Sequence, residues 1–82
     1  MRLWLVERSF DTRNSVTLTY ATTDGGQRYR IQATVDRLSR DPATAAVARD
    51  EEAVTTTPES DRSQYAAEAT RMAERHDPDD TV

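Results

Sequence analysis

Two runs of alternating residues flank the tripeptide Asp24-Gly25-Gly26, and they constrain the chain more than any other feature. From Ser15 to Thr22, Val16, Leu18 and Tyr20 fall on one face, and Thr17, Thr19 and Ala21 on the other. From Gln27 to Asp36, Tyr29, Ile31, Ala33 and Val35 point one way, and Arg28, Arg30, Gln32 and Thr34 the other. A period of two is the period of a β-strand. Between the runs, glycine supplies the positive φ that a tight reversal needs. Upstream, Leu3 to Phe10 is rich in β-prone residues, and the polar break Asp11-Thr12-Arg13-Asn14-Ser15 separates it from the first run. The pattern predicts a three-stranded antiparallel meander with one apolar face and one Arg/Thr face.

The second half changes period. Thr57-Pro58-Glu59 reads as a helix start, a cap followed by Pro in the first turn. Tyr65, Ala69, Met72, Ala73 and His76 then recur at helical spacing. Asp77-Pro78 is the stop. Between the meander and this helix, Asp41-Pro42 is a second start signal, and Ala43 to Asp50 reads as a short helix. The competing arrangement is a hairpin that pairs residues 45–48 with 53–57, favoured by Val54-Thr55-Thr56-Thr57.

These elements define an α+β two-layer sandwich. An antiparallel β-meander of three strands, or of four or five if residues 43–57 add to it, is packed by a C-terminal α-helix. The expected organisation is one α+β domain over residues 1–76 and a disordered acidic tail over 77–82. The candidate core is Leu3 or Trp4, Leu5 or Val6, Val16, Leu18, Tyr20, Tyr29, Ile31, Val35, Leu38, Tyr65, Ala69 and Met72.

A chain of 82 residues has a thin core, so other stabilisers matter. Disulfides and the usual zinc sites are excluded, because there is no Cys and one His. The apolar stretch at the N-terminus covers only residues 3–6, short of the roughly 7–15 residues of a signal peptide core or the roughly 20 of a membrane span. A cytoplasmic protein is expected.

The charges are unusual in kind. All 11 basic residues are Arg, against nine Asp and six Glu. Residues 1–40 carry seven Arg and four acids, a net +3, while residues 41–82 carry four Arg and eleven acids, a net −7. Such a chain suits a salt-rich cytoplasm, where an acidic surface stays hydrated and salt screens its self-repulsion. A GC-rich genome would also favour Arg, Ala, Asp and Thr. In its lack of Lys, its Asp content and its Asp77-Pro78-Asp79-Asp80 ending, the whole chain resembles the small, acidic, functionally unassigned proteins of haloarchaea. The resemblance is one of texture and transfers no functional residue.

The sequence offers few sites for chemistry. His76 stands alone, and no Gly-x-Ser-x-Gly elbow accompanies Ser60 or Ser63. Asp24-Gly25-Gly26 lacks the pattern of a phosphate loop. The acids 50–52 and 77–80 do not match an EF-hand ladder. No catalytic, cofactor or metal residue is therefore assigned, and a non-enzyme is expected. Two surfaces stand out. Arg28 and Arg30 project from one face of the third strand, and Arg2 or Arg8 would extend them into a patch for an anion or nucleic acid. The aromatics that usually stack on bases fall on the other face. The first strand begins apolar on both sides, so Leu3, Trp4 and Val6 are the candidate interface. Their cover would be residues 43–57 or a second subunit. The function expected is a non-enzymatic, homodimeric interaction module of a salt-adapted cytoplasm. The alternative is a nucleic-acid or phosphate-binding accessory protein.

Overall fold

The computed structural model describes residues 1–11 and 13–82. Strands β1 (Arg2–Phe10), β2 (Ser15–Ala21) and β3 (Gln27–Thr34) form the predicted antiparallel meander. The turn between β2 and β3 is built as its sequence requires. Gly25 has φ +74°. The Asp24 carboxylate accepts from the Thr22 hydroxyl at 2.6 Å and from the Gly26 amide at 2.8 Å. Those two donors hold the Asp24 pKa below the usual carboxylate value, the Thr22 hydroxyl contributing most.

Residues 35–56 depart from expectation in three places. Val35 and Asp36 do not extend β3. They open a short helix, α1 (Val35–Arg40), because the Thr34 hydroxyl caps it by accepting from the Arg37 amide at 3.1 Å. Val35 is accordingly exposed rather than core. Asp41-Pro42 ends this helix instead of starting another: the Asp41 amide donates to Arg37 O. The predicted helix over 43–50 is absent, and so is the alternative 45–48/53–57 hairpin. Instead β4 (Ala46–Ala48) pairs with β1, and β5 (Thr55–Thr56) pairs with β3 at the opposite edge. The sheet order is β4-β1-β2-β3-β5. Packing overrides the helix preference of Ala here: Ala45 and Ala46 are buried against Trp4 and the second helix, where only small side chains fit.

That helix, α2 (Glu59–Arg75), is the predicted C-terminal one. Pro58 holds its N-cap position, and Thr57 makes no capping bond. Tyr65 and Ala69 are its buried residues, with Met72 and Ala73 partly buried beside them. Its face of the sheet is the one that carries Trp4, Thr19 and Ala21, which is the Arg/Thr face of the meander. The apolar face (Leu3, Leu5, Val16, Leu18, Tyr20, with Tyr29 and Ile31) is covered by Leu38, Ala43, Val47 and Val54 from the segment that links β3 to α2. Two-sided cover explains the two-sided apolarity of β1, a central strand whose Leu3 and Trp4 point to opposite, filled sides.

Residues 77–82, expected to trail as a disordered tail, return to the sheet. The Ala45 and Ala46 amides donate to Asp80 O and Pro78 O at 2.8 and 3.1 Å, and Val82 N donates to Ala43 O at 3.0 Å. These bonds cover the stretch leading into β4 and its first residue, Ala46, a backbone row that would otherwise be open to another chain. Among the described residues no helix is long and apolar enough to cross a membrane.

Candidate functional site

On the side that α2 packs against, the sheet has a covered half and a bare half; on the other side Val16 and Leu18 stay buried. Strand β1 passes from the covered half to the bare half at a bulge. Leu5 pairs with Tyr20 and Glu7 with Thr19, so Val6 is an extra residue on β1. Before it, Leu3, Trp4 and Leu5 are buried; after it, every residue from Glu7 to Phe10 is exposed. Pairing with β2 nevertheless continues to Phe10 opposite Val16. Phe10, 70 % exposed, is the most exposed of the large apolar residues.

The bare half follows from where α2 lies. A Cβ on Gly25 would run into the Arg62 carbonyl oxygen and lie 2.9 Å from the Ala66 amide nitrogen. Glycine thus lets the helix sit directly on the β2–β3 turn. From there α2 passes over Ala21 and Trp4 towards β4, with Ala69 against Ala45 and Ala46. It leaves uncovered the far part of the same face. A recess of about 340 Å³ lies there, lined by Glu7, Ser9, Thr17, Arg30, Ile31 and Gln32. Arg30 is steadied by its Nε donating to the Thr19 hydroxyl at 3.1 Å.

The structure separates the two arginines singled out from the sequence. Arg30 is exposed in the recess. Arg28 lies opposite Ala21 and Thr55, half-buried, with its Nε enclosed and without a hydrogen bond among the described residues. Arg8 does not extend the pair. The bulge shifts the side-chain alternation of β1 by one, so Arg8 lies opposite Leu18, on the other face of the sheet. There its guanidinium donates to Val82 O at 3.0 Å. Together with Arg49 it partly offsets the effect of burial, which raises the Tyr20 pKa above the ordinary phenol value. Arg49 also sits over the Tyr29 ring, 4.7 Å from its centroid. Tyr20 and Tyr29 thus lie away from Arg30, and no aromatic lines its recess.

The interface proposed from the sequence is also redrawn. Leu3 and Trp4 are 0 % and 8 % exposed within one chain, so neither is free to meet a partner. Val6 is half-buried beside Trp4 and α2. Cover comes from residues 45–46 and α2 of the same chain. The sequence reading missed Glu7, Ser9 and Phe10 as surface groups, because it took β1 for a regular strand. Thr17 and Gln32 were legible on the Arg/Thr face. Among the described residues no group of three or more His, Asp or Glu converges as a metal-binding set.

The whole chain, residues 1–82, matches the model of a family described as a family of unknown function (DUF7967), and it belongs to that family. No curated protein and no solved structure matches it.

Proposed function

We propose that this DUF7967 member is a non-enzymatic interaction module of a salt-adapted cytoplasm, and that its working surface is the bare half of its sheet. The observation that carries this reading is the change of character along β1, buried from Leu3 to Leu5 and exposed from Glu7 to Phe10 while still paired. The sheet end that projects past α2 is sealed on one face only, where Val16 and Leu18 are buried, and keeps its other face open. It presents a polar surface, with Glu7 and Arg30 cancelling in charge and Ser9, Thr17 and Gln32 offering donors and acceptors. Such a mixed, nearly neutral surface suits a protein partner, and the exposed Phe10 lies on the opposite face of the same sheet end. Surfaces for polyanions are more strongly basic.

The test is an amide spectrum of the isotope-labelled chain in buffer and in concentrated cell extract at high KCl. Shifts or broadening are expected in residues 7–10, 15–17 and 30–34, and they persist after nuclease treatment. Changes centred on the exposed side of α2 contradict the proposal. A second reading, contact with phosphate or nucleic acid, is favoured by Arg30, which has no carboxylate within ion-pair distance among the described residues. It predicts a saturable response to a short RNA that Arg30→Ala removes.

Salt adaptation has its own check. Residues 41–82 carry a net −7, and at about 1 M salt the Debye length falls to roughly 3 Å. The melting midpoint is therefore expected to rise with KCl into the molar range. A flat or falling profile would assign the composition to coding bias instead.

A further inference from the structure

We infer that the partner of the bare half is a second copy of this chain, joined through the free edge of β3 in an antiparallel pairing centred on Gln32. The inference rests on the interaction reading above and names its partner.

Strand β5 pairs only with Gln27 and Arg28. Past that point, residues 29–33 make no backbone hydrogen bond outside the β2 ladder among the described residues, and Thr34 caps α1. The free stretch Tyr-Arg-Ile-Gln-Ala-Thr has β-prone residues, no Pro, no Gly and a single charge. It lacks the devices that usually blunt an edge strand. The free edge of β1 differs. Residues 6–10 of β1 carry the bulge and both Glu7 and Arg8, and Arg8 is engaged with Val82.

Symmetry decides between the edges. Two identical strands that pair antiparallel in one sheet meet across a two-fold axis normal to it, so one residue must face itself. On β1, a centre at Glu7 or Arg8 sets like charges opposite each other, and a centre at Ser9 sets Glu7 opposite the partner's Asp11. Like charges in that position oppose pairing. On β3, a centre at Gln32 sets two amides together, each able to donate and accept. Ile31 then faces the partner's Ala33, and Arg30 faces the partner's Thr34. A centre at Ile31 would bring the partner's Thr34 to Arg28, whose outer side Thr55 already holds. A centre at Ala33 would bring the partner's Val35, already in α1, opposite Ile31. Centres at Ile31 and Gln32 each pair five residues clear of β5 and α1, but only the centre at Gln32 engages all three outward-facing residues of the stretch, Arg30, Gln32 and Thr34.

Sedimentation velocity of the full chain over a concentration series tests this, with Gln32→Glu and Gln32→Lys alongside. Gln32 is exposed, so both variants should fold, which circular dichroism melts verify. The parent is expected to pass from one chain mass to two as concentration rises. Each variant, placing like charges at the axis, should raise the dissociation constant by about fivefold. An equimolar mixture of the two should restore dimerisation, because only a residue that faces itself can be rescued in this way. Gln64→Glu, the same change on the exposed side of α2, should leave the parent's constant unchanged. A parent that stays monomeric into the millimolar range overturns the inference, as does a Gln32→Glu variant that dimerises like the parent. If the parent is monomeric but cell extract still marks residues 30–34, the partner is another protein and the interaction reading stands.

Discussion

The same three strands build two unlike regions, and the contrast shows what each length of strand is for. In the covered half, β1 and β2 are packed on both sides: Leu3, Trp4 and Leu5 on one strand, Thr19, Tyr20 and Ala21 on the other, are all buried. In the bare half, the same β1 exposes every side chain from Glu7 on, and β3 alternates between half-buried and exposed residues. The ladder is continuous between them, so hydrogen bonding does not distinguish the two. Cover by α2 does. Stability is expected to reside in the covered half and recognition in the bare half, and substitutions can pull the two apart.

The largest effect should come from Trp4→Ala. Trp4 is 8 % exposed among Ala45, Ala46 and Ala69, and emptying such a site costs about 3–5 kcal/mol. That is comparable with the whole stability expected of so small a core. Chemical denaturation should find the variant largely unfolded; a parent-like midpoint would show that α2 does not depend on this contact. Gly25→Ala comes next. It combines a φ of +74° with a collision against the α2 backbone, for a loss of about 1–3 kcal/mol. A variant that melts like the parent would mean that α2 is not held on the turn.

A smaller effect is expected from Asp24. Its folded pKa is depressed, so its contribution is present above the unfolded value near about 4 and is lost as the pH falls through the lower folded value. The parent should lose more stability than Asp24→Ala as the pH drops below that range. Parallel acid melts of the two proteins would contradict the role given to the turn. The smallest effect belongs to Phe10→Ser. With Phe10 70 % exposed, stability should change by no more than about 0.5 kcal/mol. A large loss would mean that the bare half carries folding energy after all.

How much of this was legible in the sequence depended on whether local pattern and tertiary packing agreed. Strands β2 and β3 were legible because their period of two is unbroken and Asp24-Gly25-Gly26 can do little but turn. The α2 face was legible because Tyr65, Ala69 and Met72 keep helical spacing. Strand β4 was not, since Ala is at home in a helix and only the need for small residues beside Trp4 makes it extended here. The bulge at Val6 was not legible either, as no Gly marks it, and that one residue moved Arg8 to the wrong face. Val35 continued the alternation of β3 on paper, but the Thr34 cap turned it into helix. The return of residues 77–82 depends on backbone bonds to 43–46, which leave no mark in side-chain pattern.

Amide hydrogen exchange at low and high protein concentration tests the division of labour most directly. The amides of Leu3 to Leu5 should be protected at every concentration, because they open only with the covered half. The outward-facing amides among residues 29–34 should exchange freely in dilute solution and slow as concentration rises. Protection of that edge equal to Leu3–Leu5 at all concentrations would contradict the account, and so would an edge that stays open at the highest concentration while Leu3–Leu5 become slower.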